Sequence, residues 1–197
     1  MAKPVHDPKV LRAIAHPVRN RILSELEASG PMRAADVARD LGIPANQASF
    51  HLRQLAKYGL VEEDPDAARD RRDRVWRPVA DGGLSISGKD LVDQPGGRAA
   101  YRIFMRTSAA WAHAVVDLAY AEPASTPDDD TRRSTGEHSV RLTRAEADEL
   151  DAELTAVVQR WTERTRGRDD GRRTYLLHTM LMRYPDLPTS EVPTETP

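Results

Sequence analysis

Ala34-Ala35-Asp36-Val37-Ala38-Arg39-Asp40-Leu41-Gly42-Ile43-Pro44-Ala45-Asn46-Gln47-Ala48-Ser49-Phe50-His51-Leu52-Arg53-Gln54-Leu55-Ala56-Lys57-Tyr58 is the stretch on which the fold turns. Val37, Ala38 and Leu41 recur at helical spacing, so a short helix is expected from about Ala34 to Leu41. Gly42 follows as the residue that ends a helix in the left-handed region, and Ile43-Pro44 leads into a second helix at about 45–58. At 100° per residue, Ala48, Leu52, Leu55 and Ala56 of that helix share one arc, while Asn46, Phe50, Arg53 and Lys57 lie opposite, flanked by Gln47 and Gln54. The helix carries no acidic residue. One face is built for a core, and the other is polar, basic and singly aromatic.

Helix, glycine turn, helix is the helix-turn-helix pattern, whose second helix enters a DNA major groove. Asn46 and Gln47 have the donor and acceptor geometry for adenine edges, Arg53 suits guanine, and Phe50 can meet a thymine methyl. Ser49 flanks the face and has reach for phosphate, whereas His51 belongs to semi-buried packing. An ordinary amphipathic helix with a solvated polar face is the plainer alternative.

Beyond Gly59, Leu60-Val61-Glu62-Glu63 reads as a strand and Val75-Trp76-Arg77-Pro78-Val79 as its partner. Between them Asp64 to Arg74 is dense in charge, and a hairpin of that size behind a helix-turn-helix is a wing. Arg71, Arg72 and Arg74 are its candidate phosphate or minor-groove contacts; Asp66, Asp70 and Asp73 compete for them. Upstream, Val10, Leu11, Ile14 and Ala15 recur at helical spacing. His16-Pro17 interrupts that helix and starts another, striped by Val18, Ile22, Leu23 and Leu26 and stopped at Ser29-Gly30-Pro31.

Downstream, residues 81–97 hold five glycines and Pro95, the composition of a linker. Tyr101, Phe104, Ser108, Trp111, Val115 and Leu118 then follow alternating spacings of three and four, a helix from about 98 to 121 with a seam for another helix. Residues 122–137, with three consecutive aspartates, read as a solvated or disordered loop. Thr143 and Glu146 form a capping box opening a second long helix, seamed by Ala147, Leu150, Leu154, Val157 and Trp161 and ending near Gly167. Residues 174–184 fit a strand apolar on both faces or a short helix, and the lack of a capping pattern favours the strand. From Pro185 the prolines mark a tail. The expected organisation is a winged helix-turn-helix unit at 1–80, a linker at 81–97, a helical dimerisation or effector region at 98–184 and a disordered tail at 185–197. The fold class is mainly α with a small β wing.

Composition narrows the chemistry. The chain has 197 residues and a net charge of -2, yet residues 1–80 carry 14 Lys+Arg against 11 Asp+Glu and the remainder 15 against 20. A basic first part and an acidic second part imply two jobs, the first compatible with an anionic partner. The 25 arginines against 4 lysines point first to a GC-rich genome and only second to phosphate binding. Zero cysteines exclude disulfides, thiol nucleophiles and thiolate metal sites. With no apolar run near the roughly 20 residues of a membrane helix, and an opening without a signal-peptide apolar stretch, a cytoplasmic protein with no membrane partner is expected. The six histidines show no triad spacing, and neither a nucleophile elbow nor a phosphate loop occurs, so no enzyme is expected.

Leu11-Arg12-Ala13-Ile14-Ala15-His16-Pro17-Val18-Arg19-Asn20-Arg21-Ile22-Leu23, the turn Ala35 to Ile43 and the run Ser49-Phe50-His51-Leu52-Arg53-Gln54-Leu55-Ala56-Lys57-Tyr58-Gly59-Leu60-Val61 together resemble the winged helix-turn-helix domain of ArsR-type bacterial transcriptional regulators, over about residues 8–80. The resemblance implies a homodimer that represses or activates promoters on double-stranded DNA in response to a metal or another effector. The family's cysteine pair is absent. His113 and Asp117 share a helical face at ligand spacing but lack further ligands, so no metal and no cofactor are expected. Tyr101, Phe104, Trp111, Val115 and Trp161 are candidates either for a dimer seam or for a pocket that takes a small organic effector. From another class of function, a winged-helix protein-interaction module without DNA binding also fits the near-neutral charge.

Overall fold

The computed structural model describes residues 3–68, 74–80, 84–121, 133–168 and 171–185. Seven helices and two small sheets form in the described residues. Strand β1 (Lys3–Val5) precedes α1 (Pro8–Ile14), whose first turn is capped by the Asp7 side chain accepting from Lys9 N at 2.7 Å. Pro17 opens α2 (Pro17–Ser29), as the proline break requires. Then come β2 (Met32–Arg33), α3 (Ala34–Leu41), α4 (Ala45–Lys57), β3 (Val61–Glu63) and β4 (Val75–Pro78). Gly42 ends α3 at φ 65°, the left-handed conformation expected of that glycine.

The three-stranded sheet has the order β2-β4-β3 and is antiparallel throughout, with Val61 opposite Pro78, Glu62 opposite Arg77 and Glu63 opposite Trp76. One side of each element meets in a single core of Leu11, Ile14, Ile22, Leu26, Val37, Leu52, Leu55, Val61 and Trp76, all buried. The molecule is a mainly α winged helix-turn-helix fold with a helical region after it.

Residues 81–97 are more than a linker. They carry β5 (Leu84–Ile86), paired in parallel with β1, and α5 (Gly88–Val92), whose Leu91 is fully buried in the core. Gln94 Nε2 also donates to the His6 carbonyl at 2.6 Å. Glycine content pointed to a linker, but the Leu84, Ile86 and Leu91 side chains bury enough apolar surface to order the segment around it. The core therefore runs past residue 80.

Helix α6 (Gly97–Tyr120) starts where Gly97 lies against the Leu91 carbonyl; a Cβ there would stand 1.7 Å from that oxygen. Its first turns dock on α1, with Ala100 buried and Tyr101 and Phe104 packed against the core. Helix α7 (Arg144–Thr165) has the expected capping box: Glu146 N donates to Thr143 Oγ1 at 3.3 Å and Thr143 N to Glu146 Oε2 at 2.6 Å. Its end is tied to α2, with Arg166 Nε donating to the Glu27 carbonyl and Gly167 N to the Ser29 carbonyl.

Residues 174–184 form neither the expected strand nor a helix. Their apolar side chains stay exposed, and none of the described strands pairs with them. Residues 133–143 also lack helix and strand, in keeping with a solvated connection over the part of 122–137 that is described. Residues 122–132 and the tail beyond Pro185 lie outside the described residues.

Candidate nucleic-acid interface

Helix α4 is held by its buried face. Ala48, Leu52 and Leu55 are fully buried against α2, α3 and β3, so the opposite face is turned outward by packing alone. Asn46, Gln47, Phe50, Arg53 and Lys57 are exposed there, and Ser49 and Gln54 are half-buried at its margin. The wheel read from the sequence is thus the wheel the structure presents. Phe50 leaves 49% of its surface in solvent, an apolar ring in a polar face. Asn46 Oδ1 accepts from Gln47 N at 2.9 Å, which fixes that side chain over the first turn of the helix. Lys57 Nζ lies 5.9 Å from the Tyr58 ring centroid. Among the described residues, neither Arg53 nor Lys57 forms an ion pair.

The acids of α3 are paired with arginines of β2 and of α3 itself. Arg33 grips Asp36 with two hydrogen bonds of 2.8 and 3.1 Å, and Arg39 bridges Asp36 and Asp40 at 3.2 and 2.8 Å. The bond from Arg33 is the main cause that holds the Asp36 carboxyl below the usual aspartate range. Helix α3 therefore supports α4 without presenting an unbalanced negative charge.

In the wing, Asp64 is buried at the turn out of β3 and accepts from Asp66 N and Ala67 N at 3.2 and 3.4 Å, which bends the chain into the loop. Arg74, at the return, lies 3.5 Å from Glu63 Oε1, and Arg77 lies 2.9 Å from Glu62. Arg74 thus has an intramolecular partner across the hairpin, Glu63; Asp70 and Asp73 lie outside the described residues. Arg71 and Arg72 lie outside the described residues.

The dimer or effector candidates of the helical region divide. Tyr101, Phe104 and Val115 are half-buried, whereas Trp111 and Trp161 are exposed, Trp161 with the Arg164 guanidinium 4.8 Å over its ring. Phe104 lines an open cavity of about 200 Å³ with Ile14, Leu23, Leu84, Ile86 and Glu27; the other four are not among its lining residues. Burial raises the Glu27 carboxyl above the usual glutamate range, and Arg166 partly opposes it. Among the described residues no group of three or more His, Asp or Glu is arranged to hold a metal ion, and His113 with Asp117 remains a pair. No helix in the described residues is long and apolar enough to cross a membrane.

Sequence reasoning missed His16 as a partner of α4. Its ring centroid lies 4.8 Å from that of His51, linking the start of α2 to the buried side of α4. The signal was present: both residues stand in the quoted motifs, but nothing in the linear spacing brings 16 to 51.

Residues 14–64 match the family described as a helix-turn-helix domain, which spans α2 through β3 and stops short of the second wing strand. No curated protein matches the chain. Among solved structures, wild-type MarR from E. coli in its apo form shares 13% identity with a TM-score of 0.33, covering 78% of this chain and 88% of its own. The transcriptional regulator Tm0710 from Thermotoga maritima shares 15% identity at 0.30, covering 75% and 79%. A MepR mutant from S. aureus, bound to an oligodeoxyribonucleotide, shares 14% identity at 0.30, covering 78% and 87%. At such low scores these likenesses carry no conclusion about what this chain does.

Proposed function

We propose that the chain is a sequence-specific, DNA-binding transcriptional regulator of the ArsR type, acting as a homodimer on double-stranded DNA. The observation that carries the proposal is the exposed, acid-free face of α4, positioned by a fully buried opposite face and flanked by a wing. In this reading Asn46, Gln47, Phe50 and Arg53 meet base edges in the major groove, while Ser49 and Lys57 reach phosphate. Arg71, Arg72 and Arg74 follow the backbone from the wing, Arg74 exchanging Glu63 for a phosphate oxygen.

The winged unit occupies residues 1–80 with β5 and α5 as its buttress, and α6 and α7 supply the dimer interface. Leu118 and Tyr120 at the end of α6 and Trp161 on α7 are 68%, 71% and 56% exposed, large apolar side chains that a partner surface would cover. A two-fold dimer of this kind sets its two reading helices about 34 Å apart, on half-sites one DNA turn from each other. Repression is the expected sign, since a dimer seated across a promoter blocks it. A small organic molecule is the effector class left open by a chain without cysteines, and a soluble cytoplasmic setting follows from a DNA target.

Selection from a pool of random duplexes, followed by mobility shift on the recovered sequence with wild type and Arg53→Ala, tests the proposal. Recovery of a pseudo-palindrome that Arg53→Ala binds much more weakly is the expected result. A pool that yields no shared sequence overturns it.

A further inference from the structure

The His16–His51 pair has no role in the DNA reading above, and its geometry is unusual for a core. His51 is 4% exposed, and the Nδ1 atoms of both rings are buried without a hydrogen-bond partner among the described residues. Buried polar atoms are nearly always satisfied, so an unpartnered pair in contact calls for a reason. We infer that His16 and His51 form a proton-operated latch on the reading helix: with both rings neutral α4 is seated, and a proton on either ring unseats it and lowers DNA affinity.

The surroundings compensate an added proton poorly: the backbone at His16 favours the charged form of that ring, but burial and Arg19 outweigh it. Arg19 of α2 is the charged group that acts on both rings, and the His51 ring also sits in the field of His16. Arg19 cannot swing away easily, because its guanidinium donates to the carbonyls of Ala13 and Arg12 at the end of α1. The remaining charged groups on the elements packed around the pair are committed elsewhere or stand apart. Arg12 reaches the Gly96 carbonyl. Asp36 and Asp40 of α3 pair with Arg33 and Arg39, and Glu62 and Glu63 of β3 pair with Arg77 and Arg74. No acidic group contributes to the field at either ring, so protonation gives His⁺ beside His and guanidinium with no counter-charge. Burial, the largest cause, and then these positive neighbours hold both rings below the ordinary histidine range.

The event has a direct path to the reading face. Phe50, exposed on that face, packs edge-on against the His51 ring at 5.4 Å between centroids. A shift of His51 therefore moves the neighbouring side chain that meets the groove. The sign follows from linkage. Each folded-state pKa is depressed, so the unfolded chain binds more protons and stability rises with pH up to about 6.5, the unpaired histidine value. Acidification below that point removes it.

The inference on DNA affinity rests on the function proposed above, and the experiment separates the two. Unfolding midpoints and DNA affinity are measured between pH 7.5 and 5.5 for wild type, His51→Phe and His16→Phe, with the His51 ring followed by NMR. Wild type is expected to lose stability below about pH 6.5, with DNA affinity falling by up to about tenfold per pH unit, the limit for one linked proton. At least one phenylalanine variant should fold and show a flatter profile. If no sequence-specific DNA binding is found at any pH but the stability profile flattens as stated, the latch stands and the function fails. A His51 ring that titrates at or above 6.5, or variants with the wild-type pH profile, overturns the latch.

Discussion

Arg53 projects from the exposed side of α4 with no ion pair among the described residues, and its guanidinium is the group on that face best shaped for a guanine edge. Arg53→Ala is expected to cost about 1–3 kcal/mol of affinity for the selected site and to relax preference at one base position. Lys57→Ala, a phosphate contact in this account, should weaken all duplexes alike and lower the salt slope by about one. Titration binding at several salt concentrations distinguishes the two outcomes. At Gly97 the expected loss is one of folding. The Leu91 carbonyl occupies the place of a Cβ, so Gly97→Ala must displace backbone and should cost about 1–3 kcal/mol in urea unfolding. An unchanged midpoint would contradict that contact. Leu52→Ala, by contrast, empties a fully buried site beneath the reading helix and should cost about 2–5 kcal/mol.

The two long helices were legible because their signals are strong and local. Thr143 and Glu146 close the capping box at the start of α7, and Thr143→Ala is expected to cost about 0.5–2 kcal/mol, seen as fraying of that helix by hydrogen exchange. The helices α3 and α4 were legible for the same reason, down to which side chains of α4 face out. The short elements were not. A two-residue strand such as β2 has no period to detect, and β1 pairs with β5 across some eighty residues of chain. Helix α5 was hidden by its glycine-rich setting, where only Leu91 announces a buried turn. Residues 174–184 show the converse failure: a stretch apolar on both faces and without a capping pattern reads as a strand, but pairing is a property of the whole sheet rather than of the segment.

Across the molecule, the charge division at residue 80 has no matching break in the packing. Leu91 and Ala100 are buried in the same core as Leu11 and Val37. The arginines of the first 80 residues are not all free for an anionic partner, since Asp36, Asp40, Glu62 and Glu63 are each paired with one of them. Dimerisation through α6 and α7 makes a separate prediction: replacing Trp161 and Leu118 by aspartate should shift the mass measured by light scattering from dimer to monomer while leaving the far-ultraviolet spectrum of the fold intact. An unchanged dimer would move the interface elsewhere. The central claim is that α4 reads DNA sequence, and the most direct measurement is the ratio of affinities for the selected duplex and a scrambled duplex as salt is raised. The account predicts a ratio of at least about 10³ with affinity falling linearly in log–log salt. Equal, salt-insensitive binding of both duplexes would contradict it.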